Sequence, residues 1–129
     1  GARKVRRLLD VGARVVLCSP TATSELQAWS RSGEVHWIRG RYHSDYLQGC
    51  CLVFAATNDH RVNVNITQDA ADLGLFCNVA TDTTSGDFRV PAVLETDGLL
   101  VAVSSVEGDP RRARRLRDRI RENLVAPAV

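Results

Sequence analysis

Few side chains in this 129-residue sequence are spaced for chemistry on their own. The best metal ligands are Cys18, Cys50, Cys51, Cys77, His36, His43 and His60. They include no CxxC pair and no Cys/His spacing suited to zinc, so no bound metal is expected. The runs VVLCSP, CCLVFAAT and LFCNV place cysteines among apolar residues, where a free thiol acts as a small hydrophobe, and a reducing, cytoplasmic setting fits them. His60 falls just after AATND, as a surface or capping residue would. More informative is Gly1, which stands directly before a helical pattern. In dinucleotide-binding folds a strand runs into G-x-G-x-x-G/A and then a helix whose N-terminal amides hold the pyrophosphate. Gly1 fits the last small residue of that fingerprint, or is an ordinary terminal residue. Seven arginines between Pro110 and Val129 stand against Asp118 and Glu122, an asymmetry that points to an anionic partner.

These residues need elements to position them. Val5, Leu8 and Leu9 share one helical face, and Gly12 is the left-handed stop. ARVVLCSP is a continuous apolar run, expected of a strand buried on both faces of a parallel sheet. Ser24 and Gln27 form a capping box for a short helix carrying Leu26 and Trp29 and closed by Gly33. EVHWIRG and CCLVFAAT read as strands, the second fully buried, with Asn58 and Asp59 as turn and cap after it. Val62, Ile66, Ala70 and Leu73 form the stripe of the next helix, ended by Gly74, and LFCNVAT is the strand beyond. This alternation predicts an α/β, mostly parallel sheet with helices on both faces. FRVPAVLE and LLVAVSS, separated by TDG, predict a hairpin, because Asp-Gly tolerates the positive φ of a tight turn. Asp109 and Pro110 then cap and begin a helix on which Ala113, Leu116, Ile120 and Leu124 face one way. A hairpin and one helix cannot bury all their apolar surface alone, so this end is expected to dock on the sheet or on a second subunit.

The stretches ARKVRRLLDVGARVVLCSP, GEVHWIRGRY, LVFAATND, FCNVATD, DFRVPAVLETDGLLVAVSS and DPRRARRLRDRIRE cover nearly the whole chain. In order and spacing they resemble the precorrin-2 dehydrogenase/sirohydrochlorin ferrochelatase family, including the N-terminal module of siroheme synthases. The resemblance implies an NAD-binding Rossmann-like domain over residues 1–87 and a dimerisation hairpin with its Arg-rich helix over 88–129. It also implies a first strand preceding Gly1 and a small helical domain following Val129, so the chain is expected to be incomplete at both ends.

What the resemblance implies about chemistry is NAD-dependent oxidation of precorrin-2 to sirohydrochlorin, with Fe²⁺ insertion in some members, by a homodimer. The substrate is a tetrapyrrole bearing many carboxylates, for which Arg111 and Arg114 have a direct electrostatic use. Thr57 and Asn58, at the carboxyl edge of a buried strand, are placed on the dinucleotide, with Ser19 and Pro20 near the adenosine ribose. Thr57 and Asn58 equally suit a plain helix cap. LCSPT carries no ribose-binding acid, so the preference for NAD over NADP rests on the resemblance. Relatives commonly read N-V-V-D where this chain reads NVATD, and that Asp is credited with proton transfer and metal insertion. Its position holds Thr81, and Asp82 stands one place on. A hydroxyl is too weak a base unaided. Either Asp82 substitutes through a shifted loop, or catalytic power is lost and Asp82 is a turn residue. Ser105, flanked by Ser104, matches the serine near the tetrapyrrole site, but Val106 and Glu107 replace the family's Gly-Gly. Both serines also suit strand-end hydrogen bonding.

Two competing classes remain. One is a catalytically impaired member that binds dinucleotide or tetrapyrrole without turnover. The other takes the arginine helix as a nucleic-acid contact, against which stand the absence of a recognition motif or aromatic platform and the apolar stripe that must pack. No apolar run approaches the roughly 18 residues of a membrane span.

Overall fold

The computed structural model describes residues 1–125 and divides into two compact units, Gly1–Cys50 and the chain from Cys51 on. In the first unit α1 (Ala2–Asp10), β1 (Val15–Ser19), α2 (Ser24–Arg31) and β2 (Val35–Arg39) follow in order. β1 and β2 pair in parallel, from Val15 opposite Val35 to Ser19 opposite Arg39. Because strand side chains alternate, Val15 and Leu17 share a face, and on that face Val5, Leu26 and Val35 form the buried core with Leu9 and Trp29 around it. Both helices thus cover one face. Contrary to the two-sided burial expected for β1, Val16 on the opposite side stays 45% exposed. Arg6 of α1 pairs with Glu25 of α2 at the surface.

The capping box at Ser24 and Gln27 does not form. Thr23, in extended conformation, is the N-cap, and its side chain accepts from the Leu26 amide, while Gln27 Nε2 donates to the Ala22 carbonyl instead. Such a cap contributes about 1 kcal/mol. A short 3₁₀ turn at Ser44–Leu47, capped by His43 Nδ1, fills the connection after β2 and buries Leu47.

In the second unit β3 (Leu52–Ala55) and β4 (Phe76–Val79) pair in parallel, joined through α3 (His60–Asp72). Val53, Ala55, Cys77 and Val79 of the strands and Ile66 and Ala70 of the helix are buried. Leu52 at 44% and Leu73 at 46% exposure fall outside the burial expected of them. Asp59 caps α3, accepting from the Arg61 and Val62 amides at 2.9 and 3.4 Å. The helices α1, α2 and α3 end alike. Gly12, Gly33 and Gly74 adopt φ of 77°, 84° and 70°, and the residue after each donates back to Leu8, Trp29 and Ala70 respectively. That six-to-one closure satisfies carbonyls the helix leaves free, at a φ that only glycine adopts without cost.

β4 is bordered by an irregular return of the chain. The Asp87 amide donates to the Cys77 carbonyl, and Asp87 Oδ2 accepts from the Cys77 amide, each at 2.8 Å. A Cβ on Gly86 would lie 3.0 Å from Cys77 O and Val79 N, so the backbone passes too close for a side chain. The hairpin follows as β5 (Ala92–Thr96) and β6 (Leu99–Val103), turning through Asp97 and Gly98 at φ of 49° and 76°. These are the positive values expected of the Asp-Gly turn. α4 (Pro110–Val125) packs on both strands of the hairpin. Its N-cap is Asp109, which accepts from the Arg111 and Arg112 amides. Of the predicted stripe Ala113 is buried and Ile120 half-buried, whereas Leu116 and Leu124 remain 46% and 54% exposed.

Candidate functional site

The carboxyl ends of the parallel strands carry most of the residues singled out in the sequence. In the first unit Gly1 is the N-cap of α1 without a side-chain cap bond, and its carbonyl accepts from the Lys4 amide at 3.1 Å. Ser19 ends β1. Its carbonyl accepts from the Gly40 amide at 3.2 Å and from Trp37 Nε1 at 3.0 Å, while its Oγ is buried with no partner. Pro20 follows, exposed.

In the second unit Thr57 and Thr81, which leave β3 and β4, are brought together by a residue the sequence reading missed. Asn63, only 3% exposed, accepts with Oδ1 from the Thr57 amide (3.2 Å) and hydroxyl (2.7 Å). Its Nδ2 donates to the Thr57 carbonyl at 3.1 Å and to Thr81 Oγ1 at 3.5 Å. A signal existed: Asn63 lies three residues before Ile66 and seven before Ala70, on the buried face of α3. Thr57 therefore shapes the loop, while the cap itself comes from Asp59. Asn58 stands exposed between them.

Asp82 closes a turn. Its carboxylate accepts from the Thr84 amide and hydroxyl at 2.9 and 2.7 Å and from the Ser85 hydroxyl. These bonds stabilise the charged form and hold its pKa at about 2. The next residue, Thr83, is tied to the turn after β6 by Arg89. Its Nε donates to the Thr83 carbonyl (3.2 Å) and its Nη1 to the Ser105 and Val106 carbonyls (3.3 and 3.2 Å). The Asp82 loop and the Ser104 and Ser105 segment thus meet. No sequence signal marks Arg89, because its acceptors are backbone carbonyls, which every residue type carries alike.

Ser104, Ser105, Glu107, Arg112, Ala113 and Leu116 line a groove of about 290 Å³ between the end of β6 and α4. Glu107, the negative charge unexpected beside a polyanion, lies 3.9 Å from the Arg112 guanidinium. Arg111 and Arg114 are exposed on the first turns of α4. Asp118 is held below the usual carboxylate range by its bond from Arg117. Burial raises the Cys18 and Cys77 thiols, so neither is a ready nucleophile. All four cysteines are free, with Cys51 exposed, and the described residues hold no group of three His, Cys, Asp or Glu able to grip a metal. No helix among them is long and apolar enough to cross a membrane.

Comparison with known proteins agrees with this geometry. The family described as "Putative NAD(P)-binding" matches residues 1–92. Siroheme synthase 1 of Aeromonas salmonicida (strain A449) is 38% identical over 118 residues, 92% of this chain and 25% of that protein. The siroheme synthase of Xylella fastidiosa (strain M12) is 38% identical over 124 residues, 95% of this chain and 26% of that protein. The chain therefore spans about a quarter of the length of these curated relatives. Among solved structures, SirC, precorrin-2 dehydrogenase, superposes with a TM-score of 0.79 at 26% identity, covering 94% of this chain and 59% of that one. The expected Rossmann-like α/β fold with parallel strand pairs and a following hairpin is thus found. The chain belongs to the NAD(P)-binding family that matches its first 92 residues.

Proposed function

We propose that this member of the NAD(P)-binding family serves siroheme biosynthesis as the NAD-dependent dehydrogenase that oxidises precorrin-2 to sirohydrochlorin. The observation that carries the reading is the likeness to SirC, precorrin-2 dehydrogenase, over 94% of the chain. The donor set suits a dinucleotide: the buried, unpartnered Ser19 Oγ is a polar atom that a ribose hydroxyl can satisfy. In this reading the amides of α1 after Gly1 take the pyrophosphate, Ser19 and Pro20 border the adenosine ribose, and Thr57 and Asn58 touch the dinucleotide. When bound, NAD⁺ supplies the hydride acceptor. Arg111 and Arg114 attract the carboxylates of the tetrapyrrole, and Ser104 and Ser105 hydrogen-bond it in the groove. Residues 1–87 act as the NAD-binding domain and 88–129 as the dimerisation region. The exposed Leu99, Leu100 and Leu116 support a homodimer, since apolar side chains at this exposure gain by burial. The free cysteines support a cytoplasmic setting.

The proton that leaves the substrate goes to Asp82, with Thr81 orienting the loop through Asn63. A carboxylate whose pKa is about 2 is a weak acceptor at neutral pH, because an efficient base has a pKa near the working pH. That same observation favours the second reading, a protein that binds dinucleotide and tetrapyrrole but turns over slowly or not at all. The test is an absorbance assay with precorrin-2 and NAD⁺ on the whole protein carrying this chain. Formation of sirohydrochlorin, accelerated at least about tenfold by Thr81→Asp, supports the dehydrogenase. Tight NAD⁺ binding with no product in either protein selects the second reading. Added Fe²⁺ reads ferrochelatase activity in the same cuvette.

A further inference from the structure

We infer that Arg89 is a positioning residue, which holds the Asp82 loop against the Ser104 and Ser105 turn so that proton acceptor and substrate contacts form one site. The inference rests on the tetrapyrrole reading of those two segments. Three of the five guanidinium N–H donors are spent on backbone carbonyls, one on Thr83 and one each on Ser105 and Val106. Arg89 lies at the surface, and through Nε and Nη1 it straps the two segments together by their backbones. The two segments also approach closely without it. Gly108, at φ of 76°, donates to the Ser105 carbonyl at 3.0 Å, and a Cβ there would fall 2.9 Å from Thr83 Oγ1 and 3.1 Å from Arg89 Cζ. The positive φ favours glycine, and a methyl group there would press on the Thr83 and Arg89 side chains that join the two segments. Among the described residues the Asp82 carboxylate is held by its neighbours Thr84 and Ser85, bonds that fix the turn but not its distance from the serines.

The experiment compares the whole protein with its Arg89→Ala, Arg89→Lys and Gly108→Ala variants. Arg89→Ala is expected to lower kcat for precorrin-2 oxidation roughly ten- to a hundredfold, as misplaced catalytic groups do, while NAD⁺ affinity and unfolding midpoint stay near wild type. Arg89→Lys recovers part of the rate, since an ammonium can still reach two carbonyls. Gly108→Ala lowers kcat with Arg89 intact, and it decides the matter if Arg89→Ala does not fold. Unchanged kcat, or a fall matched by equal losses of NAD⁺ affinity and stability, overturns the assignment. If the wild-type protein does not oxidise precorrin-2, the proposed reaction falls, and Arg89 is judged by sirohydrochlorin titration. Binding about tenfold weaker in Arg89→Ala upholds its role; equal binding, or none by the wild type, overturns it.

Discussion

The carboxyl ends of β1 and β3 hold the same place in two successive strand-to-helix units, yet their polar groups are settled in opposite ways. At the end of β3 every polar group of Thr57 is engaged, its amide, carbonyl and hydroxyl all by Asn63. At the end of β1 the Ser19 carbonyl takes two donors, but its buried hydroxyl takes none. A buried group without a partner costs roughly 1–3 kcal/mol, so the Ser19 hydroxyl leaves the end of β1 the less settled of the two. The second end is already organised and presents a fixed backbone. The difference teaches that one strand end satisfies its polar groups within the chain, whereas the other leaves a buried hydroxyl unpaired.

Breaking the ordered end has the largest expected effect. Asn63→Leu strands the part-buried Thr57 amide and carbonyl and should destabilise the protein by about 1–3 kcal/mol in urea unfolding. An unchanged midpoint would show that the network contributes nothing. At the open end Ser19→Ala should be neutral or stabilising by up to about 1 kcal/mol, because it removes an unpaired hydroxyl. Isothermal titration should at the same time show NAD⁺ binding weakened several-fold; weakened stability with unaltered NAD⁺ binding would reverse the contrast. The smallest effect concerns Asp82. Its pKa is depressed to about 2 by Ser85 and Thr84, so its stabilising contribution is present above the unfolded value near 4 and is lost as pH falls toward 2. Asp82→Asn should therefore flatten the loss of stability between about pH 4 and pH 2, a difference that denaturant midpoints at pH 3 and pH 7 can read.

Features that depend on a few neighbouring residues were legible. Gly12, Gly33 and Gly74 end their helices, Asp97 and Gly98 make the hairpin turn, and Asp109 with Pro110 starts α4, each because a backbone angle or a cap is decided locally. The start of α2 was legible to within one residue. Thr23 and Ser24 are both good caps, and which of them is extended is settled where the chain leaves β1. Strand burial was overread: the apolar runs of β1 and β3 suggested two covered faces, yet Val16 and Leu52 stay substantially exposed.

Sequence alone determined the element order, the parallel and antiparallel character of the strand pairs, and the segments in which Ser19, Thr57, Thr81, Asp82 and Ser105 stand, because periodicity and turn chemistry act over short range. Tertiary structure decided which of those residues meet. Asn63 joins Thr57 to Thr81, 18 positions beyond itself, and Arg89 joins Thr83 to a carbonyl 16 positions beyond itself. Such bonds depend on where the chain returns in space, and a backbone carbonyl leaves no mark in the residue type that carries it.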